Sequence, residues 1–302
     1  MPQVQALFDR ALLARRRRRA AALGAVTFLI DRVAADMAER LSAVRRSFDV
    51  AVDLGTPTAA VRRALLNANA VGRIVAATTV AASSRDPRVP VVVADEERLP
   101  FADASLDLVV SGLALQFVND LPGALVQIRR ALKPDGLFLA ALAGGDTLVE
   151  LRQAFAAAEV EIEGGASPRV APFADVRAMG ALLQRAGFAL PVTDVDRVCV
   201  RYDSPVRLMH DLRRMGATNV LAERRRTGLR RATLARLVEG YAERFADPDG
   251  RVRASFDIIW LSGWAPHPSQ QQPLRPGSAR ARLADALGTR ELSAGEKPDR
   301  DR

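Results

Sequence analysis

The segment VDLGTPTAA, residues 52–60, contains the first residues whose types and spacing could bind a cofactor. Asp53 closes an apolar run, Gly55 stands where a sharp turn would follow, and a helix-forming stretch comes next. A glycine-rich turn between a strand and a helix lets the backbone approach a nucleotide-type cofactor and aims helix N–H groups at its anionic part. Pro57 has no N–H to donate, and Ala59 adds a methyl group at the approach. The pattern therefore predicts a weakened cofactor loop.

A second feature weakens the same site. The strand after this loop should end in a carboxylate that holds two ribose hydroxyls, yet no carboxylate occurs between Asp53 and Asp86. Hydrogen bonds to a charged group contribute about 1.5 to 3 kcal/mol each, so this loss predicts binding weakened by roughly 100-fold. Weak binding is predicted rather than none.

Other residues could complete the site at the ends of later strands. ADEERLPF (94–101) places Asp95 and Glu96 where a carboxylate can accept a hydrogen bond from an adenine amino group; a helix-capping turn is the alternative. Ser111 ends the next strand, and Gln116 follows in SGLALQFVND, where simple packing is the alternative. The predicted cofactor-binding residues are Asp53, Gly55, Asp95, Glu96 and Ser111.

Candidate catalytic residues are fewer, and the catalytic set stays unknown. GGDTLVELR (144–152) carries two glycines into a helix start, with Asp146 either capping that helix or serving the site. Asp146 and Gln116 are therefore tentative catalytic candidates. The single cysteine, Cys199, and two histidines leave too few soft ligands for a metal centre, so no metal is predicted.

The charge of the chain points away from nucleic acid. The net charge is +9, but only two of the 44 basic residues are lysine, which suggests a compositional drift across the whole chain. The one dense run, Arg15 to Arg19, has no aromatic residues interleaved for base stacking, so no nucleic-acid partner is expected. A solvated helical face, contact with an acidic partner protein and peripheral membrane contact remain alternatives for this run.

Elements that could position these residues follow from hydrophobic periodicity. Residues 3–46 predict two helices that precede the core rather than belong to it. From residue 48 short apolar runs, among them 48–53, 106–111 and 136–143, alternate with helical patterns. Strands buried on both faces with helical crossovers predict a doubly wound, mostly parallel sheet with N-terminal helices. A helical insertion at about 204–245 precedes a last strand at 254–266. Ligands bind such sheets at the carboxyl ends of the strands, so Asp53, Asp95 and Ser111 should border one crevice.

Three segments are expected along the chain: an N-terminal helical extension (1–46), a domain built on the doubly wound sheet (47–266) and a largely disordered tail (267–302). No run of about 18 to 20 apolar residues or secretory pattern is present, so we expect the protein in the cytoplasm.

The order of VDLG, ADEERLPF, DLVVSGLALQFVND and LKPDG resembles the class I S-adenosyl-L-methionine-dependent methyltransferases, a group that includes the malonyl-carrier-protein methyltransferases. Beyond residue 140, GGDTLVELR, LMHDLRRMGATN and GWAPHPSQQQPLRPGSA closely resemble the mitochondrial complex I assembly factor 5 family. The resemblance runs from about residue 6 to about residue 284. It implies the Rossmann-like methyltransferase fold with S-adenosyl-L-methionine as a weak or lost cofactor.

Residue by residue, Asp53, Gly55, Asp95 and Glu96 match the family motifs, as does the segment 144–147. Thr56, Pro57 and Ala59 stand where the family has Cys, Gly and Gly, and Gln116-Phe117 stand where it usually has His-Trp.

Members of this family are implicated in hydroxylating an arginine on an iron–sulfur subunit of respiratory complex I. The resemblance therefore implies a protein substrate, with a complex I subunit as the partner. Two alternatives remain: an ordinary methyltransferase acting on a small molecule or carrier protein, and a non-catalytic assembly chaperone.

Overall fold

A seven-stranded sheet runs through the residues that this computed structural model describes, which are 6–80, 86–271 and 283–290. The strands are β1 (Phe48–Leu54), β2 (Val71–Thr78), β3 (Val91–Val93), β4 (Leu106–Gly112), β5 (Leu132–Gly144), β6 (Ala189–Tyr202) and β7 (Val252–Trp264). Their order across the sheet is β3-β2-β1-β4-β5-β7-β6. Strands β1 to β5 pair in parallel, whereas β7 lies antiparallel between β5 and β6. The predicted doubly wound, mostly parallel sheet is confirmed.

Helices connect the strands and precede them. They are α1 (Arg10–Ala22), α2 (Phe28–Ser42), α3 (Ala60–Asn67), α4 (Leu121–Ala131), α5 (Val149–Glu163), α6 (Val176–Arg185), α7 (Pro205–Arg214), α8 (Arg231–Phe245) and α9 (Leu283–Leu287). The predicted helical insertion before the last strand is present as α7 and α8, which are separated by the non-helical residues 215–230. Ser204 begins α7 by accepting a hydrogen bond from the Arg207 N–H, with Pro205 in the first turn.

Apolar side chains cover both faces of the sheet. Residues of α2, α3, α5 and α8 pack on one face in one buried cluster, while residues of α4 and α6 pack on the other face in a second cluster. A parallel sheet requires this double covering because helical crossovers lie on its two faces. The carboxyl ends of β1, β4 and β5 are therefore left as one shared edge, where the candidate site lies.

Helix α2 belongs to the core. Its apolar stripe, which includes Ile30, Val33, Met37 and Leu41, is buried in the same cluster as the central strands. The expectation that both N-terminal helices precede the core without joining it is therefore wrong for α2. The physical reason is that an apolar stripe of this width needs a partner surface, and the sheet face supplies it.

Helix α1 is held at the carboxyl edge of the sheet by a small apolar cluster. Phe8 and Leu13 pack there with Phe117, Val220 and Leu221. The rings of Phe8 and Phe117 meet edge to face, with centroids 5.8 Å apart. The cluster fixes α1 against the loop that follows β4.

The chain divides into two compact units, Met1–His267 and Pro268–Arg302. Of the second unit the structure describes residues 268–271 and 283–290, which include the short helix α9. The predicted disordered tail therefore lies largely outside the described residues. None of the helices in the described part of the chain is both long and apolar enough to span a membrane.

Candidate functional site

The turn after β1 is formed by Gly55, whose φ of +70° lies in the left-handed region. Its N–H donates a hydrogen bond to the Ala77 carbonyl of β2 at 2.7 Å. The Thr56 hydroxyl donates to Asp53 and accepts a hydrogen bond from the Gly112 N–H at 3.0 Å. These bonds tie the ends of β1, β2 and β4 together, so the turn expected at Gly55 is present.

Asp53 is buried beneath this turn and is already paired. Its Oδ2 lies 2.8 Å from Nη1 of Arg62 on α3, and its Oδ1 accepts the hydrogen bond from Thr56. Burial raises the pKa of Asp53, although the positive charge of Arg62 opposes that effect. Both carboxylate oxygens therefore bond to this chain's own side chains, and a role for Asp53 in cofactor binding stays a prediction.

Ser111 braces the neighbouring strand. Its hydroxyl is buried and donates a hydrogen bond to the Leu54 carbonyl at 2.8 Å, which links the ends of β4 and β1. In this arrangement Ser111 holds the edge of the sheet together, and its predicted contact with a cofactor also stays a prediction.

Glu96 lies directly over the β1 turn. Its side chain is fully buried, and a Cβ atom added at Gly55 would overlap its carboxylate. Asp95 is less buried and accepts a hydrogen bond from the Glu97 N–H at 2.9 Å. The structure thus brings Gly55 and Glu96 together, but Glu96 fills the space that the glycine leaves open.

Two arginines of α1 bind these carboxylates. Arg10 pairs with Glu96 and with Asp95, whose Oδ1 lies 2.8 Å from Nη2 of Arg10. Arg17 Nη1 lies 3.5 Å from Oε1 of Glu96 and 3.4 Å from the Gly55 carbonyl oxygen. Because the two arginines are seven residues apart, they lie two turns apart on one face of the helix. Helix α1 therefore lies across the expected crevice.

The pKa values of the two arginines reflect different surroundings. Burial alone would lower the pKa of Arg10, but the carboxylates of Glu96 and Asp95 outweigh that effect and raise it. Burial lowers the pKa of Arg17, and the negative charge of Glu96 offsets only part of that lowering. Arg17 is therefore a desolvated cation with too little negative charge beside it.

In this arrangement the residues do not fit S-adenosylmethionine. The methyl donor would need the space over Gly55 that Glu96 and Arg17 occupy, and Pro57 offers no N–H there. The sequence has no carboxylate at the end of β2 that could hold the ribose hydroxyls, and the structure places Thr78 at that position. Binding of this cofactor would require α1 and Glu96 to move.

An open cavity of about 410 Å³ lies beside this filled crevice. The residues that line it come from α1, α2 and the segment between them, the loops after β1, β4 and β5, helix α5, residues 169–173 and residues 209–220, with one residue each from β5 and β7. None of the five predicted cofactor-binding residues lines the cavity, whereas Gln116 does. Asp53, Asp95 and Ser111 do not line this cavity, and the expectation that they border one crevice stays a prediction.

Gln116 and two strained leucines mark the cavity wall. Gln116 Nε2 donates to the Leu113 carbonyl at 2.9 Å, while its buried Oε1 has no hydrogen-bond partner among the described residues. Leu113 and Leu148 both line the cavity, and both have positive φ, +51° and +56°. Such backbone strain costs about 1–3 kcal/mol per residue and concentrates at functional sites. These three features make this cavity the candidate binding site.

Asp146 lies outside the cavity lining. Its carboxylate is exposed and lies 3.4 Å from Nη2 of Arg197, and its N–H donates to Asp257 on β7 at 3.0 Å. Helix α5 begins at Val149 with Leu148 at its N-cap, so the capping alternative for Asp146 is wrong. Its tentative catalytic role stays a prediction that its position does not favour.

Arg10, Arg17 and the segment 209–220 are site residues that the sequence patterns do not identify, although LMHDLRRMGATN (208–219) carries part of the family resemblance. Arg17 was hidden within the run Arg15–Arg19, which was interpreted as a single face. Its spacing from Arg10 was an available signal, because both fall on the helix face that carries the buried Leu13.

Comparisons with known proteins agree with this architecture. Residues 49–140 match the family described as a methyltransferase domain. The chain is 38% identical over 287 residues to arginine-hydroxylase NDUFAF5, mitochondrial, of Danio rerio, covering 92% of this chain and 89% of that protein. It is 35% identical over 291 residues to malonyl-[acyl-carrier protein] O-methyltransferase of Laribacter hongkongensis, covering 91% of this chain and 93% of that protein. A solved Bacillus halodurans structure assigned to the methyltransferases superposes with a TM-score of 0.54 at 16% identity, covering 77% of this chain and 99% of that chain, which shows the fold alone.

Proposed function

The chain belongs to the class I S-adenosylmethionine-dependent methyltransferase family that includes arginine-hydroxylase NDUFAF5, and on that basis we propose that it modifies a protein partner or assists its assembly. The proposed partner is a subunit of respiratory complex I, and the proposed modification is hydroxylation of an arginine. The observation that carries the proposal is the 38% identity to the Danio rerio arginine-hydroxylase across 89% of that protein. This likeness extends well beyond the methyltransferase domain of residues 49–140.

The surface of α1 supports a protein partner. Arg15, Arg18 and Arg19 are exposed, whereas Arg16 and Arg17 line the cavity. The exposed arginines present positive charge close to the cavity, and such charge steers an acidic partner surface toward it.

An ordinary methyltransferase is the second candidate. The observation that favours it is the 35% identity to the Laribacter hongkongensis malonyl-[acyl-carrier protein] O-methyltransferase over nearly the whole of both chains. Methyl transfer depends mainly on proximity and orientation, so it needs little side-chain chemistry in the cavity.

A non-catalytic assembly chaperone is the third candidate. The observation that favours it is the crevice filled by Glu96, Arg10 and Arg17, which leaves no space over Gly55 in this arrangement. A methyltransferase fold carries no activity by itself, because function depends on the site.

Intact-mass measurement of the partner after reaction separates the three candidates. The protein is incubated with the candidate complex I subunit, S-adenosylmethionine and a cell extract that supplies other co-reactants. An added oxygen atom supports hydroxylation, an added methylene supports methyl transfer, and a stable complex with no mass change supports the chaperone. The Gln116→Leu variant should lose the modification, while the surface control Asp103→Asn should keep it. Absence of both complex and mass change with this subunit would overturn the proposed partner.

A further inference from the structure

The cavity wall carries positive charge without matching negative charge. Five arginines line it, namely Arg16, Arg17, Arg169, Arg213 and Arg214, and the lining residues in the described part of the chain include no Asp or Glu. Positive charges gathered around a cavity that is partly shielded from water repel one another and attract anions.

Arg169 is the one of the five whose charge is closely balanced. It pairs with the buried Glu159, whose Oε1 lies 2.7 Å from its Nε. Arg16, by contrast, donates to the Thr218 hydroxyl at 2.7 Å and to the Asn219 carbonyl, which are both neutral acceptors. Burial and the neighbouring arginines lower the pKa of Arg16. The positive charge of Arg169 is thus balanced by Glu159, whereas the positive charge of Arg16 on the α1 side of the cavity has no carboxylate bonded to it among the described residues.

The remaining arginines also lack full partners within residues 6–80, 86–271 and 283–290. Arg213 forms no ion pair there, and Arg214 donates only to the Gly24 carbonyl, at 2.7 Å from its Nε. Arg17 is only 8% exposed, shares Glu96 with Arg10, and has a buried Nη2 without a hydrogen-bond partner among the described residues. A buried, unpaired guanidinium N–H is costly unless a ligand accepts its hydrogen bond.

From this arrangement we infer that the cavity binds a small molecule with a carboxylate or phosphate group, held by Arg16 and Arg17. A planar guanidinium fork matches the oxygens of either group. The rest of the lining is largely apolar and includes Leu29, Ile30, Leu148 and Phe155, which would pack against an alkyl or aromatic body. The volume of about 410 Å³ lies in the range of small-molecule sites.

This ligand goes beyond the proposed function and constrains it. An arginine side chain of a partner protein would bring a sixth guanidinium to a wall that already carries five, and like charges repel. A bound anion would lower that repulsion and so favour the entry of a cationic side chain.

Titration calorimetry on the full chain tests the inference with three probes: hexanoate, its neutral counterpart hexanamide, and inorganic phosphate. Hexanoate should bind saturably, and hexanamide should bind at least about tenfold more weakly because the charge-assisted hydrogen bonds are lost. Phosphate that displaces hexanoate supports a site for either anion, whereas phosphate without effect supports a carboxylate with an apolar body.

Variants of α1 locate the site. Arg16→Gln should weaken hexanoate binding about tenfold. Arg18→Gln removes the same charge from an exposed position on the same helix, outside the cavity lining, and should leave binding unchanged. If Arg16→Gln fails to fold, Arg16→Lys replaces it, because lysine keeps a positive charge but lacks the planar guanidinium fork, and hexanoate binding should still weaken.

Three results would overturn the inference. The first is equal binding of hexanoate and hexanamide, or no saturable binding of hexanoate. The second is equal loss of affinity in Arg16→Gln and Arg18→Gln, which would show a general charge effect. The third is S-adenosylhomocysteine displacing hexanoate and losing affinity by the same factor in Arg16→Gln, because the arginines would then serve the cofactor's own carboxylate.

Discussion

Gly55 and Glu96 together decide how closely any ligand can approach the end of β1. The glycine supplies the left-handed turn, and the carboxylate of Glu96 occupies the space where another residue would have its Cβ atom. The turn at Gly55 could be predicted from the apolar run and the glycine that follows it. The position of Glu96 could not, because its partners Arg10 and Arg17 are 86 and 79 residues away in the sequence.

Substitution of Gly55 by alanine should reveal this contact. Gly55→Ala adds both left-handed strain and a collision with Glu96, whereas Gly164→Ala adds the strain alone, since Gly164 has φ +74° and nothing within 4 Å of the added Cβ. We expect Gly164→Ala to cost about 1 kcal/mol of the free energy of unfolding and Gly55→Ala at least about 2 kcal/mol more. Urea unfolding of both variants measures the difference. Equal costs would mean that Glu96 does not lie over the turn in solution.

Helix α1 is the element that closes the site. The apolar cluster around Phe8 and Leu13 positions it, and the ion pairs of Arg10 and Arg17 with Glu96 fasten it over the β1 turn. The sequence predicted a helix here but not where it packs, because a run of five arginines conceals which of them point inward. Arg17 is buried and Arg18 is exposed because successive residues of a helix point about 100° apart around its axis.

Neutralising Glu96 should destabilise the whole fold. Glu96→Gln leaves Arg17 buried without a negative charge, and removing one partner of a buried pair costs about 3–5 kcal/mol. The control Asp103→Asn removes an exposed carboxylate paired with Arg130 and should change stability by less than about 1 kcal/mol. Chemical denaturation with both variants gives the comparison, and a Glu96→Gln effect no larger than the control would show that the pair is solvated.

Residues 169–173 contribute to the wall of the cavity, and one carboxylate holds the start of this segment in place. Glu159 on α5 is buried and accepts hydrogen bonds from the backbone N–H and hydroxyl of Ser167 and from Arg169. Burial would raise the pKa of Glu159, but these bonds outweigh it and hold the pKa below its ordinary value of 4.5.

The pH dependence of stability should report this carboxylate. Because its pKa is lower in the folded than in the unfolded protein, Glu159 stabilises the fold fully above pH 4.5 and loses that contribution as the pH falls through the depressed value. Wild type and Glu159→Gln should therefore differ most in urea midpoint at pH 7, and the difference should shrink as the pH falls below 4.5. A difference that stays constant over this range would contradict the assigned bonds.

At the scale of the molecule, local sequence patterns were enough to predict the sheet but not the shape of the candidate site. Apolar runs at 48–53, 106–111 and 136–143 predicted β1, β4 and β5 because each buried strand carries its own signal. The filled crevice and the open cavity arise from contacts between α1, residues 209–220 and the strand ends. Such contacts depend on packing between distant segments, which periodicity does not encode. Gln116 is the one candidate site residue that lines the cavity, and its position just after β4 made it predictable from the sequence.

Closure of the cofactor crevice by α1 is tested most directly by titrating S-adenosylhomocysteine into α1 variants. Leu13→Ala removes a buried anchor of α1, while Leu23→Ala truncates an exposed leucine just after the same helix. Since closure competes with binding, loosening α1 by 1.4 kcal/mol or more should strengthen binding at least about tenfold. We predict this gain for Leu13→Ala and wild-type affinity for Leu23→Ala. Equal affinity in wild type and Leu13→Ala, whether tight or undetectable, would contradict the claim.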